Sequence, residues 1–273
     1  MGRVTSRRRV VRIEGPDRTV RPDTLVVEEP LEIRLDGRPL TVTMRTPGDD
    51  FDLVAGFLAA EGVVRLPGDI STLRYCAGST AGNGNTYNVV DAVLGPDVPS
   101  PDPSLQRAFL TTSACGVCGK ASIDAVRTRA PWPLAERDGT LAQALVAELP
   151  DRLRAAQRVF DRTGGLHAAG LFGFDGRLLC VREDVGRHNA VDKVIGWALR
   201  EGRLPLRDTV LQVSGRASFE LTQKAMMAGI PALAAVSAPS SLAVELTEEA
   251  GMTLVGFVRG GSMNVYAGAH RLV

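Results

Sequence analysis

The spacing of hydrophobic positions changes near residue 139. Before it, short β-branched runs (LEIRL, TVTM and TYNVV) alternate with turn residues, which predicts strands, and only DDFDLVAGFLAAEG repeats its apolar positions at helical spacing. After Gly139 the elements lengthen. LAQALVAELPDRLRAAQRVF reads as a helix, HAAGLFGF and RLLCV as a hairpin turning at Asp175 and Gly176, and NAVDKVIGWALREG as a helix. TVLQV is then a strand, ASFELTQKAMMAG a helix, PALAAV a strand, SLAVELTEEAG a helix and TLVGFV the final strand. Strands separated by helices of this length predict parallel crossover units with helices on both faces of one sheet. Two breaks, GPDVPSPDPS from Gly95 to Ser104 and RAPWP at 129–133, interrupt the chain. The expected fold class is α/β. It comprises an α+β, β-rich N-terminal domain over 1–112, a connector over 113–138, and a C-terminal three-layer α/β/α domain over 139–273.

Open sheets of this kind bind ligands outside the carboxyl ends of their strands. The loops predicted there are unusual: CVREDVGRHNAVDK follows one strand, SGRAS the next, SAPSS the next and VRGGS the last. Each brings glycine, hydroxyls or arginine to one edge. The first three also run into helix N-termini, whose free N–H groups and dipole favour anions. Serine caps helices for structural reasons as well, but four such loops together point to a phosphate-bearing ligand. Arg182, Arg187, Arg216 and Arg259 are candidate donors to phosphate or carboxylate.

Composition removes several partner classes. The 273 residues are 44% hydrophobic and carry 32 basic against 31 acidic side chains, so no global charge draws the chain to nucleic acid or to an anionic membrane. No run approaches the about 18 apolar residues of a membrane span, and MGRVTSRRRVVRIEG lacks the apolar centre of a secretory signal. The expectation is a cytoplasmic protein with no membrane or nucleic-acid partner. Arg7, Arg8 and Arg9 read as a solvated basic tail.

Of the four cysteines, Cys115 and Cys118 form a CxxC in ACGVCGK, while Cys76 and Cys180 are scattered and read as core. Zinc needs three or four ligands. One CxxC supplies two, and neither the other cysteines nor His167, His188 and His270 add ligand spacing, so no zinc site is expected. A deaminase would need an HxE before its CxxC; here Ala169 replaces the glutamate in LHAAG and the CxxC precedes the histidine. Dithiol exchange fits the spacing, but the pair lies mid-chain rather than after an early strand. Gly116, Gly119 and Lys120 suit a thiol that accepts sulfur from one partner and delivers it elsewhere, and burial of both cysteines as small core residues is the remaining reading.

Three blocks, TSACGVCGKASID, REDVGRHNAVDKVIGW and SGRASFELTQKAMMAGIPALAAVSAPSSLAVELTEEAGMTLVGFVRGGSMNVYAG, make the chain resemble the formate dehydrogenase accessory sulfurtransferase family, FdhD/NarQ, from about residue 20 to 273. The resemblance implies a fold similar to cytidine deaminases without their zinc. It implies a sulfur carrier that takes persulfide sulfur from a cysteine desulfurase and passes it to the molybdenum bis(molybdopterin guanine dinucleotide) cofactor, before that cofactor enters a molybdenum-dependent formate dehydrogenase. Cys115 would bear the persulfide, with Cys118 assisting. Phe257, Val258, Arg259, Gly260, Gly261 and Ser262 match the family's cofactor segment. Ser214, Gly215 and Arg216, with Ser237, Ala238, Pro239 and Ser240, would share in holding the GDP-like guanine nucleotide moieties, and His188 and Asn189 belong to the same candidate set. A ligand with two nucleotide arms suits a homodimer. A cofactor-binding chaperone with incidental cysteines and a dithiol oxidoreductase are the alternatives.

Overall fold

Two sheets enclose a pair of crossed helices. The computed structural model describes residues 4–76, 87–99, 130–134 and 139–273. Cys115 and Cys118 therefore lie outside the described residues, as does most of the connector.

The first half begins with an antiparallel hairpin of β1 (Thr5–Glu14) and β2 (Asp17–Val26). Arg7, Arg8 and Arg9 are exposed, as expected, but they belong to strand β1 rather than to a tail. Gly15, at φ 58°, supplies the turn that folds the chain back, so alternation with Val11 and Ile13 becomes a strand rather than a basic arm. A four-stranded sheet follows, in the order β4 (Arg38–Arg45), β3 (Glu29–Leu35), β6 (Val89–Leu94), β5 (Ile70–Tyr75). β3 and β6 are parallel and the outer pairs antiparallel. The predicted helix of this half is α1 (Asp50–Ala60), buried over nine of its eleven residues because it is covered on all sides.

In the second half the long predicted helix ends at Ala156, giving α2 (Gln143–Ala156) and a single turn, α3 (Phe160–Thr163). The hairpin at Asp175 and Gly176 joins β7 (His167–Gly173) to β8 (Leu178–Asp184). Then come α4 (Arg187–Arg200), β9 (Thr209–Val213), α5 (Phe219–Met227), β10 (Ala232–Ala235), α6 (Ser241–Ala250), β11 (Thr253–Arg259) and β12 (Ser262–Ala267). The strands form one sheet in the order β12-β11-β10-β9-β7-β8. β9, β10 and β11 are parallel, whereas β7 is antiparallel to both neighbours and β12 is antiparallel to β11. TLVGFV is thus not the last strand. SMNVYA adds an edge strand whose two register irregularities disrupt the alternation that would have revealed it.

The six-stranded sheet has helices on both faces. Val146, Leu149 and Leu153 of α2 cover Ala168, Phe172, Val210, Ala232 and Val255 on one face. On the other, Ala169, Leu171, Leu211, Val213 and Leu233 join α4, α5 and α6 in a core that continues through α1 to Leu31, Ile33 and Val90 of the four-stranded sheet. One apolar core therefore spans both halves. It closes where α1 meets α4, at Gly56 and Gly196. A Cβ on Gly196 would sit 1.8 Å from the Asp52 carbonyl oxygen, and one on Gly56 would sit 1.8 Å from that of Asp192. The backbones touch there without a side chain between them.

Candidate functional site

Strand direction gathers the candidate loops. β8, β9, β10 and β11 all run the same way, so their carboxyl ends lie along one edge of the sheet, which the start of antiparallel β7 at His167 shares. The Ser214–Arg216, Ser237–Ser240 and Phe257–Ser262 segments and the loop entering α4 all meet this edge. They are stitched together through the main chain. Ser214 N–H donates to the Ala168 carbonyl (3.0 Å), Ser240 N–H to Ala217 (3.0 Å) and Phe257 N–H to Ser237 (3.2 Å).

Within these loops the side chains divide into committed and free groups. The Ser240 hydroxyl caps α6 by accepting from Ala243 N–H at 3.2 Å, and Ser214 Oγ accepts from Ala168 N–H at 2.8 Å. Asn189 is almost fully enclosed. Its amide nitrogen donates to the Met44 carbonyl (2.7 Å) and Asp184 Oδ1 (3.0 Å), and its oxygen accepts from Thr43 Oγ1 (3.2 Å). That side chain ties the loop entering α4 to β4 and has no reach toward a ligand, so it positions the site. Asp184, fully buried, extends the tie. It accepts from Thr46 N–H at 3.1 Å and from Gly186 N–H at 2.8 Å, and Lys193 Nζ lies 2.7 Å away.

The four arginines differ as sharply. Arg182 is held by Asp52 at 2.7 Å, with Asp49 at 3.5 Å, so it joins β8 to α1 rather than offering itself to an anion. Arg216 and Arg259 are exposed. Arg187, at the start of α4, keeps its buried Nε without a hydrogen-bond partner among the described residues. Such an orphaned donor on a charged side chain fits a phosphate oxygen.

Two histidines frame this arginine. His188 Nε2 lies 3.5 Å from Ser218 Oγ, at the N-terminus of α5, and 3.4 Å from Glu220. Burial lowers its pKa to about 4 against the opposing pull of Glu220, with smaller lowering contributions from Arg187, Lys224 and His167. Burial, then Arg187, also lowers the pKa of His167. Both rings are neutral at pH 7, each with one donor and one acceptor nitrogen.

The Phe257–Ser262 segment is the tip of the β11–β12 hairpin. Gly260 and Gly261 have φ of 56° and 80°, the two positive values of a type I′ turn, and the Ser262 hydroxyl donates to the Arg259 carbonyl at 3.0 Å. Val258 is buried in the core and can present only its backbone. Phe257 has φ 53°, a left-handed conformation that is a true outlier for a bulky side chain, at an irregularity in the β11–β12 register. Strain of this kind, costing about 1–3 kcal/mol, collects at ligand-binding positions.

Beside the same edge, under α2, a cleft of about 640 Å³ is lined by Leu153, Gln157, His167, Val185, Ser214 and Val236, among others. Apart from Val185 and Ser214 none of these lies in the loop motifs; they come from five separate parts of the chain, and no spacing signal joins them. Cys180 is buried, with its thiol pKa pushed up to about 12 by burial, consistent with a core role. Among the described residues no three His, Cys, Asp or Glu side chains come together as a metal site, and no helix is long and apolar enough to cross a membrane.

Comparison with known proteins follows this geometry. A family model described as the FdhD/NarQ family matches residues 26–273. The sulfur carrier protein FdhD of Streptomyces coelicolor is 65% identical over 273 residues, covering 100% of this chain and 97% of that protein. Its namesake in Mycobacterium tuberculosis is 59% identical over 275 residues, covering 100% of both. A crystal structure from Desulfotalea psychrophila, described as that of a candidate formate dehydrogenase accessory protein, superposes with a TM-score of 0.77. At 24% identity it covers 99% of this chain and 100% of that one, and shows that the fold is shared.

Proposed function

The chain belongs to the FdhD/NarQ family, and on that premise we propose that it is a sulfur carrier serving a molybdenum-dependent formate dehydrogenase. In this reading the Cys115 thiolate attacks the terminal sulfur of a cysteine desulfurase persulfide. A new S–S bond forms to Cys115, the donor's S–S bond breaks, and the donor cysteine leaves as thiolate, so no outside oxidant is needed. Cys118 assists release. The cargo is the molybdenum bis(molybdopterin guanine dinucleotide) cofactor, to which the sulfur passes in the cytoplasm before insertion. A homodimer would match its two nucleotide arms. The cytidine-deaminase-like fold that the resemblance implies would lack the zinc chemistry, because the residue two after His167, where an HxE would have its glutamate, is the buried Ala169.

The observation that carries this reading within the structure is the convergence of the loops on one sheet edge, with Arg187 Nε lacking a partner among the described residues beside the N-termini of α4 and α5. That arrangement can hold phosphate groups through a guanidinium and free backbone N–H groups. The strained Phe257 and the paired glycines of the hairpin give the Phe257–Ser262 segment a backbone that a nucleotide can approach closely. Nothing in this edge favours dithiol exchange, which requires no phosphate cradle.

The test is intact-mass measurement after incubation with a cysteine desulfurase and cysteine. Wild type should gain one sulfur mass (about 32 Da) at Cys115, and Cys115→Ala should neither gain it nor support formate dehydrogenase activation. Full activation by Cys115→Ala would leave the chaperone reading in its place. A reversible Cys115–Cys118 disulfide with no mass gain would favour the oxidoreductase.

A further inference from the structure

The β1–β2 hairpin is a two-stranded ribbon with no third strand beside it among the described residues. Its pairing is regular from Thr5 opposite Val26 to Glu14 opposite Asp17. Residues directly opposite share a face, so the register sorts the side chains. On one face Arg8 stands opposite Asp23, and Arg12 and Arg21 alternate with Glu14 and Asp17. Each arginine there is matched by a carboxylate, and Arg12 donates to Glu14. The other face carries Arg7, Arg9 and Arg18 and no carboxylate. Arg7 stands opposite Thr24, Arg9 opposite Pro22, and Arg18 opposite Ile13. All three arginines are exposed.

The same positive face holds the exposed apolar side chains Val11, Ile13 and Val20, at 55%, 62% and 60% exposure. Val11 and Val20 are directly opposite, with Ile13 one step along. An apolar cluster rimmed by charge marks an interaction site, and a ribbon with both faces open is marginally stable alone. Residues 4–27 contain no aromatic side chain. The ribbon therefore lacks the stacking platforms of single-strand binders and the anchors of a membrane surface. Phosphates would pair with the arginines but leave the valines and isoleucine in water. A protein surface with carboxylates around an apolar centre satisfies all six side chains. The ribbon is rooted beside the sheet edge. Val27 N–H donates to the Val4 carbonyl at its base (2.9 Å), and a Cβ on Gly165 would lie 3.2 Å from Val26 Cγ1. Gly165 and His167 line the cleft next to that edge. The family match begins at residue 26, so the residues of this face stand before it.

We propose that this face of the ribbon docks the client protein, the formate dehydrogenase apoprotein, through an acidic surface with an apolar centre. Carboxylates of the client meet Arg7, Arg9 and Arg18, while its apolar side chains cover Val11, Ile13 and Val20. The client, rather than the sulfur donor, is the occupant because the ribbon is rooted at the edge from which the cargo would be handed over. The identity of the client rests on the sulfur-carrier reading, whereas the docking face rests on the ribbon's own charge and exposure.

Calorimetric titration of the full chain with purified formate dehydrogenase apoprotein tests it. Wild type should bind, with an affinity that falls as salt rises. The charge reversal Arg7→Glu, Arg9→Glu, Arg18→Glu should weaken binding roughly tenfold or more. So should Val11→Ser with Val20→Ser, and both variants should keep the wild-type melting temperature because every changed position is exposed. Arg21→Glu, on the opposite face, should leave the affinity unchanged. Failure of wild type to bind, unchanged affinity in both ribbon variants, or an equal loss in Arg21→Glu overturns the proposal. Binding to phosphatidylglycerol vesicles, or self-association in sedimentation, that the ribbon variants abolish while the apoprotein does not bind would assign the face to a membrane or to a second copy instead. The sulfur-carrier reading is checked apart from this. Both ribbon variants should still gain the persulfide mass at Cys115, and its absence from wild type overturns that reading while leaving the apoprotein affinities as measured.

Discussion

At the residue scale, similar side chains along the sheet edge have opposite duties, set by their neighbours. Arg182 is neutralised by Asp52, five positions before Arg187, whose Nε has no partner among the described residues. Asn189, with three hydrogen bonds in a buried setting, is structural. Asn189→Ala should lower stability by about 1–3 kcal/mol by leaving the Met44 carbonyl and Thr43 hydroxyl unpaired, read from urea denaturation. His188 carries a pH signature. Its folded pKa, about 4, is depressed below the ordinary 6.5, so the unfolded chain binds more protons between those values. The stability it contributes is full above pH 6.5 and is lost as pH falls toward 4. His188→Gln should therefore lose less stability than wild type across that window, the remaining slope including His167, whose pKa is also lowered. Identical slopes in the two proteins would remove His188 from the account.

At the element scale, the crossing of α1 and α4 decides how the loop entering α4 is presented. Gly56 and Gly196 let the helices touch, and Lys193, one turn before Gly196, donates to the Thr46 carbonyl at 2.9 Å just ahead of α1. Gly196→Ala would place a methyl group 1.8 Å from the Asp52 carbonyl oxygen and 2.6 Å from Gly56 N. The contact is backbone and cannot rotate away, so the helices must part, at a cost of about 3 kcal/mol or more. Thermal denaturation should show the loss, whereas a neutral outcome would mean the helices are not locked together. Alanine normally improves an exposed helix over glycine, so the sign of this effect distinguishes tertiary packing from propensity.

For the whole molecule, the core running from Leu31 and Ile33 through α1 and α4 to Leu211 and Leu233 leaves no apolar gap between the two halves. Urea unfolding followed by circular dichroism and by tryptophan fluorescence should give one coincident transition. Two separated transitions would show that the halves hold themselves together independently. A single cooperative unit would suit the proposed carrier, because the cleft and phosphate-facing loops would keep fixed positions.

The sequence by itself determined the α/β class, the β7–β8 hairpin, α1, and the alternation of strands and helices from β9 to β11, because these rest on local periodicity. It also marked the loops at the carboxyl edge, since glycine, serine and arginine are chemically conspicuous after apolar strands. It missed β12 because bulges and exposure break the alternation of SMNVYA, and it read Arg7, Arg8 and Arg9 as a tail because a run of like charges hides the strand they belong to. Only the tertiary structure decided that Asn189 and Arg182 are spent internally and that Arg187 Nε is left without a partner among the described residues. Each of those outcomes depends on partners far away in the chain. Asn189 meets Thr43 and Met44, and Arg182 meets Asp52. Periodicity and composition describe a residue's own neighbourhood, whereas a hydrogen bond to a residue about 130–146 positions away exists only once the chain has folded.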